Sequence, residues 1–187
     1  VLGFTPEKHE GKVTGLAAYG KYNKIIKIFR KFFFINNGKI KSVWSNYHLP
    51  WFVKKSNLPE IFKLKNNFSK EDIASGVQKL LEEVICEWII DNIKIYKKKK
   101  IDISLAGGVF GNVKLIYEIK KIKYVNNIFI QPATGDAGLS LGGLKLLINR
   151  KSNLNTTFLG SSYSNNEIIK YLKKKKKDFK YIKNVEQ

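Results

Sequence analysis

Three short segments of this 187-residue chain concentrate the side chains that can do chemistry. His9-Glu10-Gly11-Lys12, with Gly15 just beyond, places a base, an acid and a cation within four residues. Gly107-Gly108-Val109-Phe110-Gly111-Asn112 follows the apolar run Ile101-Asp102-Ile103-Ser104-Leu105, and Gly135-Asp136-Ala137-Gly138 follows Ile128-Phe129-Ile130 and Gln131-Pro132-Ala133-Thr134. Glycines after a strand let the backbone come close to a phosphate or ribose, and the start of the next helix favours anions. Gly107 and Gly108 fit that role, with Asn112 able to hydrogen-bond a sugar or base; a tight turn accounts for the two glycines equally well. Asp136, between glycines at a strand-to-helix junction, suits a metal ion or a phosphate, and it suits a helix cap as well. His9 and His48 are the only histidines, too few for a metal site, and His9 reads as a hydrogen-bonded loop residue. A dinucleotide site is disfavoured because the glycine spacing is not G-x-G-x-x-G and no acidic residue ends the strand at Ile130; no Gly-Lys-Ser/Thr follows to make a P-loop. Cys86 stands alone, so it forms no internal disulfide and reads as a packed small residue.

The elements that position these residues follow from local pattern. Strand–glycine–helix occurs twice in succession, at 101–123 and 128–148, which is the organisation of an α/β sheet domain with ligands at the carboxyl ends of its strands. Residues 1–20 read as a glycine-punctuated loop leading into a short helix. Residues 25–35, rich in Ile and Phe, read as a strand, and Asn37-Gly38 as the turn of a hairpin returning along 39–44. Residues 45–68 show no clean period and read as irregular. The clearest element is a helix over 70–97, with Ser69 as N-cap and Asp72 at the capping-box position. Ile73, Val77, Leu80, Leu81, Val84, Ile85, Trp88 and Ile89 recur at three- and four-residue steps and give it one apolar face. Lys151–Thr157 reads as a linker, and a last helix is expected near 165–176.

Composition narrows the function classes. With 43% hydrophobic residues the chain can build a core. No apolar run approaches the ~20 residues that span a bilayer, so no membrane partner is expected. No apolar signal segment opens the sequence, and the expected location is cytoplasmic. The formal net charge is +20, yet all but two of the 35 basic residues are lysine, the exceptions being Arg30 and Arg150. Dedicated nucleic-acid binders also use arginine, whose planar fork pairs with phosphates and guanine edges. Abundant Ile and Asn, including the pairs Asn36-Asn37, Asn66-Asn67 and Asn126-Asn127, point to compositional drift. The runs Lys97–Lys100 and Lys173–Lys177 fall at or near predicted helix ends, where they are solvated and favourable toward the helix dipole. A nucleic-acid partner is therefore not expected. The sequence has no methionine and starts at Val1, which predicts a piece of a longer protein.

Taken together, the motifs resemble one family. Gly3-Phe4-Thr5-Pro6 through His9-Glu10-Gly11-Lys12-Val13-Thr14-Gly15-Leu16-Ala17-Ala18-Tyr19-Gly20 is similar to the first signature of the NodU/CmcH carbamoyltransferases. Leu105 through Leu115 is similar to their second, and Gln131 through Gly138 with Leu141-Gly142 to their third. Leu159-Gly160 with Tyr163-Ser164 resembles the stretch where the family's C-terminal domain begins.

The resemblance implies a partial actin/sugar-kinase/Hsp70 (ASKHA)-like domain, an α/β fold with a mixed sheet and flanking helices. Residues 1–150 would be the later part of that N-terminal domain, and 151–187 a linker plus the start of the C-terminal one. It implies transfer of a carbamoyl group from carbamoyl phosphate, with ATP and through a carbamoyl-adenylate, to a hydroxyl of a sugar-like or natural-product acceptor. Gly107, Gly108 and Asn112, with Gly135 and Gly138, would hold the nucleotide part, and Glu10, Lys12 and Gly15 would lie beside it. Asp136 would be a ligand of a divalent metal ion, iron in this family. The departures are specific. The family's paired metal-binding histidines, its first phosphate-binding hairpin and nearly all of its C-terminal domain have no counterpart here, and residue 116 is Ile where Asn is usual. The 187 residues alone are thus expected to be inactive. Two other readings stand beside this one: threonylcarbamoyl transfer to tRNA, against which the HEGK and GDAG wording argues, and a lysine-rich nucleic-acid-binding α/β module.

Overall fold

A computed structural model describes residues 1–5, 8–43, 63–96, 99–148 and 160–182. The chain separates into two compact units, Val1–Ile148 and Asn149–Gln187. In the first, helix α1 (Glu10–Ala17) and the single turn α2 (Ile26–Phe29) precede a hairpin of β1 (Phe33–Asn36) and β2 (Lys39–Ser42). Asn37 and Gly38 turn it with φ of 52° and 68°, the left-handed pair that a two-residue hairpin loop needs. The strand expected over 25–35 is thus shorter, and 26–29 is helical. Ile25, Phe29 and Phe32 are all buried, and their spacing of four and three residues is a helical stripe that outweighs the β preference of Ile and Phe.

Helix α3 (Lys70–Ile93) is the spine of the unit. Ser69 caps it as expected, its Oγ accepting the Asp72 N–H at 3.0 Å. The Asp72 carboxylate reaches outward and accepts the Lys21 N–H at 2.7 Å, tying the segment after α1 to the start of α3. The helix continues as a 3₁₀ turn over Lys94–Tyr96. Its amino-terminal half buries Ile73, Leu80 and Val84 against Ile25, Phe29, Phe32 and Leu64. Its carboxyl-terminal half buries Ile85, Ile89 and Ile93 against Leu105, Leu115, Ile119 and Val125. Fully buried Ile25, Leu115 and Ile119 each contribute roughly 1.5–3 kcal/mol. The buried face is wider than the expected stripe: it includes Ser75, Gly76, Gln78 and Glu82, while Val77 is 39% exposed. Arg30 clamps the segment after α2 to α3, its Nη2 meeting both carboxylate oxygens of Glu87 at 2.6 and 2.8 Å.

Beyond α3 come β3 (Ile101–Leu105), α4 (Val113–Lys120) and β4 (Val125–Ile130). β3 and β4 pair in parallel, and α4 is the crossover between them. The second strand begins three residues earlier than the sequence suggests. Register shifts between Ile101 and Ile103, and Asp102 bridges the irregularity. Its Oδ1 accepts from Asn126 Nδ2 at 2.9 Å and from Asn127 N and Nδ2, both at 3.0 Å. The Asn126-Asn127 pair, expected to be drift, is therefore part of the strand pairing. A 3₁₀ turn at Asp136–Gly138 leads into α5 (Leu139–Ile148), whose Leu146 and Leu147 are each 85% exposed in this unit.

In the second unit, α6 (Asn165–Lys174) starts at a full capping box, with Ser164 and Glu167 bonded reciprocally. Lys173 and Lys174 occupy its last turn, as expected. Of the stretch 45–68 expected to be irregular, the described end carries a 3₁₀ turn at Leu64–Asn66, while residues 45–62, His48 among them, and the expected linker 151–157 lie outside the described residues. No helix among the described residues is long and apolar enough to cross a membrane.

Two stability measurements follow. A Cβ on Gly76 would collide with Ile25 Cγ2 and approach Phe29 Cε2 to 2.9 Å. Gly76→Ala should therefore lower unfolding free energy by about 1–3 kcal/mol in urea titration, and an unchanged midpoint would refute the close packing of α2 on α3. The Asn126 side chain, then the Asn127 backbone, hold the Asp102 carboxyl below its ordinary value of 3.8. Its contribution is complete above that pH and is lost as pH falls through the lowered value. Asp102→Asn should flatten the acid limb of the stability curve; a curve parallel to that of the unchanged chain would show that Asp102 carries none of it.

Candidate functional site

Parallel pairing of β3 and β4 places both of their following loops at one end of the sheet. The chain leaves β3 at Leu105, whose carbonyl accepts the Gln131 N–H at 3.1 Å, so the two strands exit side by side. Gly107 takes φ 106° and ψ 148°, a conformation essentially restricted to glycine, and a 3₁₀ turn over Gly108–Gly111 follows. Asn112 then caps α4, its Oδ1 accepting the Leu115 N–H at 3.1 Å. The loop after β4 comes against it, since a Cβ on Gly111 would sit 3.4 Å from Thr134 Oγ1. Gly107, Gly108 and Gly135 are exposed, and a Cβ on any of them would meet nothing within 4 Å. Gly138 differs: a Cβ there would run into the Ala133 carbonyl oxygen, so its role is to let the loop fold on itself.

The structure thus gathers Gly107, Gly108, Asn112, Gly135, Asp136 and Gly138 on two adjoining loops. Asp136 opens the 3₁₀ turn and is exposed, while Gly135 holds the N-cap position that the sequence pattern offers to the aspartate. Glu10, Lys12 and Gly15 are exposed on α1, which packs on α3. His9 lies at the start of α1 with its Nδ1 accepting the Thr5 N–H at 3.1 Å and its ring edge-on to Phe4. That agrees with a hydrogen-bonded loop residue. Ile116 packs beside the buried cluster of the βαβ corner. Burial first, then Glu118 and Glu82, push the Cys86 thiol up to about 11, which leaves it protonated near neutral pH and a poor nucleophile.

Sequence reasoning missed the residues behind the first loop. Gln78 and Glu82 are 4% and 3% exposed, and Gln78 exchanges two hydrogen bonds with Asn112. Lys114 Nζ approaches Glu82 Oε1 to 3.5 Å. A signal was present, because two polar residues four apart interrupt the apolar face of α3. Their partner lies 34 residues away and has no local signature.

Among the described residues, no three His, Cys, Asp or Glu side chains gather as metal ligands. Asp136 by itself does not make a metal site.

The loop geometry separates two glycines. Gly107→Ala should cost about 1–3 kcal/mol by urea unfolding, since its backbone angles exclude a side chain. Gly108→Ala, with open space and ordinary angles, should stay within about 0.5 kcal/mol. Equal costs at both positions would refute the backbone geometry of this loop.

Comparison with known proteins agrees with the motifs. Residues 1–144 match the family model described as Carbamoyltransferase N-terminus. Protein MJ1058 of Methanocaldococcus jannaschii is 34% identical over 185 residues, covering 94% of this chain and 29% of that protein. Protein MJ1051 of the same organism is 32% identical, covering 96% of this chain and 35% of that protein. The nodulation protein NolNO of Sinorhizobium fredii is 28% identical over 143 residues, 75% of this chain and 20% of that protein. The chain therefore spans only about a third or less of the length of these relatives. A match through both glycine loops and the α1 segment shows that this chain belongs to the carbamoyltransferase family.

Proposed function

We propose that this chain is part of an ATP-dependent O-carbamoyltransferase, one that moves a carbamoyl group from carbamoyl phosphate, through a carbamoyl-adenylate, to a hydroxyl on a sugar-like or natural-product acceptor. The observation that carries the reading is the pair of glycine loops at the carboxyl ends of adjacent parallel strands, β3 and β4. Such ends are where open α/β sheets bind ligands. Exposed Gly107, Gly108 and Gly135 let backbone N–H groups approach a phosphate, and the α4 amino terminus favours the negative charge. In this reading the domain is ASKHA-like, Gly107, Gly108, Asn112, Gly135 and Gly138 hold the nucleotide, and Glu10, Lys12 and Gly15 of α1 border it.

The family's metal ion does not fit the described residues as a complete site. Asp136 is exposed, with no two further ligand side chains around it. The chemistry that remains for this chain is binding and orientation: the loops fix the nucleotide end, and the backbone donors meet charge that develops as the acyl bond breaks.

The test is carbamoyl transfer by the full-length protein carrying this segment, supplied with carbamoyl phosphate, ATP and a panel of hydroxyl acceptors. Gly108→Val should lower kcat/KM at least about tenfold, with the urea midpoint unmoved. Full activity in that variant would remove the loop from the site. The 187 residues alone should show no turnover, and robust transfer by them would overturn that expectation.

A further inference from the structure

Gln78 and Glu82 are buried polar side chains one helical turn apart on α3, at the place where it meets the first glycine loop. Burying a carboxylate is costly unless its oxygens are met. Here Glu82 Oε1 accepts from Gln78 Nε2 at 2.9 Å, while Lys114 and Lys79 stand at 3.5 and 3.9 Å. Gln78 Nε2 also donates to Asn112 Oδ1 at 3.2 Å, and Gln78 Oε1 accepts from Asn112 Nδ2 at 2.7 Å.

Those bonds have a direction. Glu82 Oε1 accepts, so it is faced by the NH₂ end of Gln78. That turns the Gln78 carbonyl to Asn112 Nδ2. Asn112 Oδ1 is in turn occupied twice, by Gln78 Nε2 and by the Leu115 N–H. Both lone pairs of that oxygen are then used, and one of the two Nδ2 protons. The second Nδ2–H has no hydrogen-bond partner among the described residues.

We propose that Glu82 and Gln78 are positioning residues, which lock Asn112 so that it offers an N–H donor, never its carbonyl, to the ligand of the glycine loop. The ligand atom it meets is then an acceptor: a phosphate oxygen, a ribose hydroxyl oxygen or a ring nitrogen of a nucleotide. This deepens the proposed function and rests on its assignment of a nucleotide to Gly107–Asn112. A different possibility, that the three side chains only pin α4 to α3, predicts a stability effect with no effect on affinity.

The experiment uses the ¹⁵N-labelled full-length protein that carries this segment, with ATP as the probe, comparing the parent with Gln78→Met, Glu82→Met and Glu82→Gln. Three quantities are read: the Asn112 side-chain amide signals, the urea midpoint and the ATP dissociation constant of the folded protein. Gln78→Met and Glu82→Met should displace the Asn112 signals and weaken ATP binding about five- to tenfold. Glu82→Gln keeps a carbonyl that accepts from Gln78, and it should hold ATP affinity within about twofold of the parent. If Gln78→Met does not fold, the Glu82→Met and Glu82→Gln pair makes the same comparison. Displaced Asn112 signals with unchanged ATP affinity would overturn the proposal in favour of a purely structural tie. Undisplaced signals would show that the relay does not exist. A full-length parent protein that binds no ATP, with Asn112 signals that still move in Gln78→Met, would bring down the nucleotide reading and leave the relay without a ligand role.

Discussion

α1, α2, the β1–β2 hairpin and α4 are all fastened to one helix. α3 is 24 residues long and presents different partners along its length: α2 toward the amino-terminal end, the βαβ corner toward the other, where the hairpin turn also meets it through Asn92 and the Gly38 carbonyl. A helix buried by two partners cannot keep a narrow apolar stripe, because each partner approaches from its own direction. That is why Gly76 stands where α2 crosses and why Gln78 and Glu82 are drawn inside. The same constraint reaches the site. α4 is set by Leu115 and Ile119 against Ile85 and Ile89, so the glycine loop at the head of α4 inherits its position from α3.

Two kinds of interaction hold that loop, and they do different work. The apolar contacts supply most of the free energy but little direction, since dispersion and burial are insensitive to a small rotation of α4. The Gln78–Asn112 exchange supplies direction, because hydrogen bonds weaken steeply when misaligned. A site that relies on backbone donors needs both, since a misplacement of about 1 Å in its donors can cost about a hundredfold in rate.

The sequence made the strand–glycine–helix repeats legible because their signals are local: a short apolar run, glycines, then a capping residue. Ser69, Asn112 and the Asn37-Gly38 turn are of the same kind. The segment 25–32 was misread because Ile and Phe favour strands, while their burial at 25, 29 and 32 depends on a helix more than 40 residues on. Gln78 and Glu82 were missed for the same reason, as was the role of Asn126 and Asn127 at the β3 irregularity: each partnership is between segments far apart in sequence. Among the site residues, the two glycine loops came together through parallel pairing, which two adjacent strand–helix units make predictable. The relation of Glu10, Lys12 and Gly15 to them was legible only through family resemblance, and the structure sets those residues on a separate helix packed on α3.

The lysine surplus bears on the site less than its size suggests. The ion pairs at α3 join lysines that are partly or largely exposed, such as Lys79 and Lys114, to Glu82 and Glu83 at 3.5–3.9 Å. Pairs of that length near solvent contribute at most about 1 kcal/mol each and weaken with salt. Asn112, by contrast, is neutral, and in the proposed function the glycine loops would act through backbone N–H groups that carry no net charge. Recognition of an anion by such donors needs no excess of lysine: it needs donors fixed in place before the ligand arrives, and in this chain that fixing is done from within, by α3.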